Sequence, residues 1–252
     1  MDRLARLDLA FCVDLTGSMG SFIAAARTQI VQILDALRAE LGDGLRVAIV
    51  GYRDHCDGKK VVEVHPFTTK IATTKATVDK LEISGGGDAP EAVYSGLSAC
   101  LELPWEEGAY RVVVLVGDAP PHGVGAGGDH YARGDPTGLD LDEVANRFET
   151  AGVFVHALAM TRGGDTVLEK SFRRLSISTG GSYNDAASGD AAMEIVARFA
   201  DRFLKDIAFD RRLFDSLDDA PPDAEALAKK LKVTPEEVNA ALMRLRQRKL
   251  IE

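Results

Sequence analysis

Five apolar, β-branched runs punctuate the chain, at Leu7–Val13, Leu45–Tyr52, Val61–Phe67, Arg111–Val116 and Val153–Met160. Segments with helical period separate them and predict helices over Met19–Leu41, Thr73–Lys80, Pro90–Leu103, Leu139–Ala151, Thr166–Ser176 and Ala191–Ile207. This alternation predicts an α/β domain built on a central sheet. Only Leu45–Tyr52 and Val61–Phe67 are joined by too short a link for a helical crossover. They are expected to form an antiparallel hairpin at the sheet edge, turning through Asp54–Lys60, while the other strands run parallel. A short sixth strand is expected at Gly181–Asn184. In the first long helix Phe22, Ala26, Ile30, Ile33 and Leu37 recur at helical spacing, so one face should lie on the sheet.

The polar residues that interrupt this pattern carry the candidate chemistry. The first strand stops in Asp14-Leu15-Thr16-Gly17-Ser18, which sets one carboxylate and two hydroxyls at alternate positions before a helix. In open α/β sheets ligands bind outside the carboxyl ends of strands, and small oxygen donors gathered there suit a hard cation, magnesium first. The plainer alternative is that Asp, Thr and Ser cap the helix. Asp118 ends the run RVVVLVGD and is followed by a long glycine-rich loop, which places a second acid at the same sheet edge. Between them, SGGGDAPEAVYSGL offers Asp88 and Glu91 at an expected helix start, with Pro90 suited to initiation. Capping by Asp88 and dipole compensation by Glu91 would explain either acid alone. Capping accounts less well for three loops that each deliver oxygen ligands to one edge.

These residues resemble the von Willebrand factor A domain and its metal-ion-dependent adhesion site. Asp14-Leu15-Thr16-Gly17-Ser18 matches the DxSxS element with Thr for the first Ser, Gly87-Asp88-Ala89-Pro90-Glu91 is similar to the acidic second loop of integrin β subunits, and Val116-Gly117-Asp118-Ala119 matches the third loop. The resemblance covers about residues 5 to 208. Tyr52-Arg53-Asp54-His55, GGGDAPE and DAPPHG look like the A domains associated with the atypical α-kinases and their bacterial relatives, although no kinase domain is present in this sequence. The resemblance implies a Rossmann-like, six-stranded, mostly parallel sheet with one antiparallel edge strand and helices on both faces. It also implies a metal set drawn from Asp14, Thr16, Ser18, Asp88, Glu91 and Asp118. The choice between Asp88 and Glu91 stays open, with the integrin analogy favouring Glu91. The ion implied is Mg2+, with Mn2+ or Ca2+ as alternatives, and an open position would accept the Asp or Glu of a protein partner. Ser21 and Phe22 stand where integrin β domains carry two further aspartates, which argues against their adjacent inhibitory ion.

Composition narrows the function classes. With 39 acidic and 30 basic residues, the net charge of −9 argues against a globally basic nucleic-acid binder and leaves room for a locally basic module. Three cysteines in dissimilar contexts, no CxxC pair, and no apolar run near the length of a membrane span lead to the expectation of a cytoplasmic protein. Enzyme readings fit poorly. Thr16 stands where a phosphotransferase of the haloacid dehalogenase kind needs a second Asp, Ser18 lacks the GxSxG elbow, and Gly85–Gly87 lacks the Lys-Ser/Thr of a phosphate loop. The chain is expected to be non-enzymatic, a metal-dependent hydrolase being the alternative. His55, His122 and His130 with Asp54, Asp57, Asp129 and Asp135 fall in loops that could flank the same face, as a second metal site or a recognition rim.

The composition changes after about Phe209, where DRRLFDSLDDAPPD holds two prolines and five aspartates. The expected division is an A domain over 1–208, a linker over 209–223 and a small all-α module over 224–252. In that module Thr234 and Glu237 form a capping box, Pro235 takes the first helical position, and the pattern resembles the helix-turn-helix of winged-helix proteins without a wing. Seven basic and four acidic residues lie in 224–252, and Arg244, Arg246, Arg248 and Lys249 cluster late in the second helix. Phosphate contact, and hence a DNA-associated regulator, is one reading. A small protein-interaction module with a solvated basic face is the other and is preferred. Leu227, Leu231, Val238, Leu242 and Leu245 are expected to form its core or to pack on the A domain.

Overall fold

The computed structural model describes residues 3–161, 164–217 and 223–252. Among these residues six strands form one sheet: β1 (Leu7–Asp14), β2 (Leu45–Tyr52), β3 (Val62–Thr68), β4 (Tyr110–Gly117), β5 (Phe154–Met160) and β6 (Tyr183–Ala186), in the order β3-β2-β1-β4-β5-β6. Every neighbouring pair is parallel except the hairpin of β2 and β3 at the edge. β1 is central and buried on both faces, which is why it reads as a continuous apolar run rather than an alternating one.

Among the described residues the eight α-helices are α1 (Gly20–Leu41), α2 (Ile71–Lys80), α3 (Val93–Leu101), α4 (Leu141–Ala151), α5 (Thr166–Ser178), α6 (Gly189–Phe214), α7 (Ala224–Leu231) and α8 (Pro235–Gln247). Leu9, Phe11 and Val13 of β1 face a core shared with α1, α2 and α6, while Ala10 and Cys12 face one shared with α3, α4 and α5. That split follows from the two-residue period of a strand. On α1, Phe22, Ala26, Ile30 and Leu37 are buried as the spacing predicts, and Ile33 packs partly buried against the same core.

The order of strands fixes where a ligand can sit. From β1 the chain moves outward through β2 to β3, then returns across the sheet to start β4 on the other side of β1. The crevice above the carboxyl ends of β1 and β4 is the topological switch point of the sheet. Asp14 closes β1 and Asp118 follows the last residue of β4, so both acids belong to that crevice.

Two sequence expectations need correction. The helix expected from Pro90 begins at Val93, after an Ala92 that makes no side-chain cap. The backbone amides of Glu91 and Ala92 are taken by Pro120 and Arg53 carbonyls at 3.0 and 2.9 Å, so tertiary contacts hold this stretch in a bridge rather than a helix. The helix expected to end at Ile207 runs to Phe214, so residue 209 lies inside α6 rather than at the start of a linker. Residues 218–222 of that linker lie outside the described residues.

The extension of α6 carries the C-terminal helices. Leu213 packs with Leu227, Val238, Leu242 and Leu245, and Leu231 is partly buried against them. Thr234 and Glu237 form the expected capping box, with Glu237 N donating to Thr234 Oγ1 at 3.2 Å and Thr234 N to Glu237 Oε2 at 2.8 Å. Arg244 and Arg248 do not face solvent. Arg244 pairs with Asp210 at 2.6 Å and Asp206 at 3.3 Å, and Arg248 reaches Asp210 at 3.3 Å and the carbonyls of Arg3, Leu4 and Gly108 at 3.0 Å. Of the four clustered cations, only Arg246 and Lys249 are exposed.

Candidate metal centre

The first loop is shaped by Asp14 itself. Its Oδ1 accepts hydrogen bonds from Thr16 N at 2.8 Å and Thr16 Oγ1 at 2.7 Å, and Thr16 Oγ1 lies 3.3 Å from Ser18 Oγ. Asp14 and Thr16 are buried, whereas Ser18 is exposed in the short 3-10 turn Gly17–Met19 that leads into α1. The loop is tied to its neighbours by Leu15 N donating to Tyr52 O at 2.8 Å and Ser84 N donating to Leu15 O at 3.0 Å.

The second loop crosses above it. Gly85 and Gly86 take φ of +85° and +89°, a backbone that side-chain-bearing residues rarely adopt. A Cβ on Gly86 would come within 3.2 Å of Glu91 Oε1 and 3.3 Å of Thr16 Cβ, so a glycine lets this backbone rest between the two. Gly86 N donates to Asp57 Oδ2 at 3.2 Å and Gly87 N to Asp54 Oδ2 at 3.2 Å, which fixes the loop to the β2–β3 turn. Glu91 is only 4% exposed. Tyr52 forms part of the floor: a Cβ on Gly117 would meet its Oη at 2.3 Å, so the third loop can leave β4 only through a glycine. Sequence reading named Tyr52 and Gly117 within motifs but assigned neither this role. Paired substitutions in relatives would be the signal for it.

Electrostatics decides what this arrangement lacks. Asp14 Oδ2 and Glu91 Oε2 are buried and have no hydrogen-bond partner. Burial, with added repulsion from Asp118, pushes the Asp14 carboxyl up to about 7, the hydrogen bonds from Thr16 pulling the other way. Burial, followed by repulsion from Asp14, Asp54, Asp57 and Asp118, pushes Glu91 up to about 9. A buried carboxylate oxygen without a partner is costly, and several in one crevice repel one another. A divalent cation offsets both costs, and the all-oxygen donor set suits a hard one. The residues present therefore fit the ion that the resemblance implies.

Asp88 does not share this environment. Its Oδ2 accepts from His130 N at 2.6 Å and its side chain is 4% exposed. The sequence-stated candidates thus separate: Glu91 is coupled electrostatically to Asp14 and Asp118, whereas Asp88 lies beside the histidine-bearing loop. That loop is ordered by His122, whose two ring nitrogens lie 3.0 Å from Asp54 Oδ1 and 2.9 Å from Asp129 Oδ1. His55 pairs with Asp135 at 3.2 Å and packs its ring 5.3 Å from that of His122. Burial works against ionisation of Asp54, yet hydrogen bonds from Cys56, His122 and Gly87 outweigh it and hold the carboxyl below its usual range. Arg53 is buried, donates to the carbonyls of Lys60 and Glu82, and lies 3.6 Å from Glu63, anchoring the hairpin.

Residues 8–122 match the family model of the von Willebrand factor A domain. The alpha-protein kinase vwkA of Dictyostelium discoideum is 30% identical over 141 residues, 55% of this chain and 23% of that protein. The ariadne-like RING finger protein R811 of Acanthamoeba polyphaga mimivirus is 33% identical over 152 residues, 59% of this chain and 14% of its own length. The chain thus spans less than a quarter of the curated relatives it matches. Among solved structures, the pilus adhesin SpaC from Lactobacillus rhamnosus GG superposes with a TM-score of 0.62 at 19% identity, covering 80% of this chain and 30% of that one, and so supports the fold. BatB from Bacteroides thetaiotaomicron gives 0.52 at 13% identity over 79% of this chain and 98% of its own. Strand order and the oxygen-lined switch point agree with the family match over residues 8–122: the fold is that of a von Willebrand factor A domain.

Proposed function

We propose that the chain is a non-enzymatic protein-interaction module of the cytoplasm, one that captures an Asp or Glu of a protein partner at a magnesium-dependent site. Asp14, Thr16, Ser18, Glu91 and Asp118 would hold the ion, directly or through water. The observation that carries the reading is the pair of buried, unpartnered oxygens, Asp14 Oδ2 and Glu91 Oε2, in the crevice at the switch point. Bound there, the ion would supply a Lewis-acidic position for a carboxylate. The chain's own residues set its strength. Thr16 and Ser18 contribute neutral hydroxyls that leave positive charge on the ion, whereas an ionised Glu91 reduces it and weakens the pull on an anionic partner relative to a site with Thr in that place.

A nucleic-acid role for the C-terminal helices has less support, because Arg244 and Arg248 are committed to Asp206, Asp210 and backbone carbonyls. The proposal is tested by recovering partners from a native lysate with wild type and Asp14→Ala, each in Mg2+ and in EDTA, after both are shown to fold. Recovery lost on mutation and on chelation supports the metal clasp. A partner kept in all four conditions moves recognition away from the crevice.

A further inference from the structure

Among the described residues, one group of ligating side chains meets the spacing of a metal site without the DxSxS loop. Asp54, Asp88 and His122 each present a ligating atom within 4.8 Å of the other two. They come from three different segments: the turn after β2, the second loop and the third loop. In each, another atom is already held. Asp54 Oδ2 accepts from Gly87 N at 3.2 Å and from Cys56 Sγ at 2.9 Å. Asp88 Oδ2 accepts from His130 N at 2.6 Å. His122 Nδ1 faces Asp129 Oδ1 at 2.9 Å, and Asp129 is itself fixed by the amides of Gly123 and Tyr131, both at 2.8 Å.

A closed hydrogen-bond network would account for part of this. An imidazolium at His122 would donate to Asp54 on one side and to Asp129 on the other. Asp88 is left over. Its side chain is only 4% exposed and its Oδ1 has no partner, an arrangement that costs free energy unless a donor or a cation completes it. We propose that Asp54, Asp88 and His122 bind a divalent first-row transition ion of the zinc class, separate from the magnesium centre at Asp14. One imidazole nitrogen with two carboxylates is a softer donor set than the all-oxygen crevice and suits zinc better than magnesium. Nε2 ligates, while Nδ1–H donates to Asp129, the carboxylate–histidine–metal arrangement that orients a ligand ring and raises its basicity. The two carboxylates balance the charge of the ion. The inference stands without the partner-capture reading and reassigns Asp88 from the magnesium set.

The test is equilibrium dialysis of metal-free protein against Zn2+ in excess Mg2+, with bound zinc measured by plasma emission and folding checked by circular dichroism. Wild type and Asp14→Ala should retain zinc. Asp88→Asn keeps an acceptor for His130 N and so preserves the loop, yet should weaken zinc binding about a hundredfold, as should His122→Ala; Asp129→Asn should cost about ten- to a hundredfold through the lost orientation of His122. Cys56→Ser should retain the ion. The proposal is overturned if wild type takes up no zinc or if folded Asp88→Asn binds as tightly as wild type. Loss in Asp14→Ala alone, or in Cys56→Ser alone, would assign the ion to the crevice or to the exposed thiol and overturn it equally.

Discussion

The two ends of the molecule bury acid in opposite ways. Under α8, Asp210 is fully buried and answered by Arg244 and Arg248, with remaining guanidinium donors spent on backbone carbonyls. At the switch point Asp14 and Glu91 are also buried, yet one oxygen of each has no partner, and among the described residues no cationic side chain offsets them. The first arrangement completes itself within the chain and serves to seat the C-terminal helices on α6. The second leaves two buried carboxylate oxygens open, the places that the proposed ion would fill. Buried charge is therefore not evidence of function here until its partners are counted.

Breaking the comparison at the paired end should have the largest effect. Arg244→Ala leaves Asp210 and Asp206 without their main partner and should cost about 3–5 kcal/mol in urea denaturation, the usual penalty for removing one member of a buried pair. A loss under about 1 kcal/mol would mean that α8 is not seated by this ion pair.

At the open end the sign should reverse. Asp14→Asn removes a buried charge that the metal-free chain cannot satisfy, so in EDTA it should be neutral or stabilising. Wild type should gain about 2.7 kcal/mol from Mg2+ at a hundred times its dissociation constant, and the variant almost nothing. Asp118→Ala should likewise weaken Mg2+ binding without unfolding the domain, since the site stands on loops above an independent core. Unchanged affinity in that variant would remove Asp118 from the site.

The raised carboxyls sharpen the contrast through pH. Folding lifts Asp14 from 3.8 to about 7 and Glu91 from 4.5 to about 9, so the folded chain holds protons that the unfolded chain has released. Their contribution to stability is fully present below the lower values and is lost as pH rises through the higher ones. Thermal unfolding in EDTA should therefore show stability falling from mildly acid to mildly alkaline pH, and saturating Mg2+ should flatten that fall. A metal-free profile that rises over this range would contradict the assignment. The smallest effect is expected from Arg246→Ala with Lys249→Ala, both exposed, which should change stability by no more than about 0.5 kcal/mol each.

Most of the architecture was legible because a buried parallel sheet writes itself as apolar runs. Leu45–Tyr52 was read with its observed bounds, and the antiparallel edge followed from the short link to β3. The loops that line the switch-point crevice were legible because their polar residues interrupt those runs at strand ends. Three features were not. The start of α3 was misplaced because backbone bonds from Glu91 and Ala92 to distant carbonyls override the local Pro90 signal. Arg244 and Arg248 read as solvated because helical spacing alone cannot show what a helix lies against. The pairing was latent in two sets of residues four apart, Asp206 with Asp210 and Arg244 with Arg248. The separation of Asp88 from Glu91 depends on loop path, which three residues of spacing do not encode.

The most direct test of the central claim is calorimetric titration of Mg2+ into metal-free wild type and Asp14→Ala at neutral pH, with both chains shown to be folded. The account predicts saturable binding in wild type that the variant loses. Equal binding by both chains, or none by wild type at millimolar Mg2+, would contradict a metal centre at the switch point.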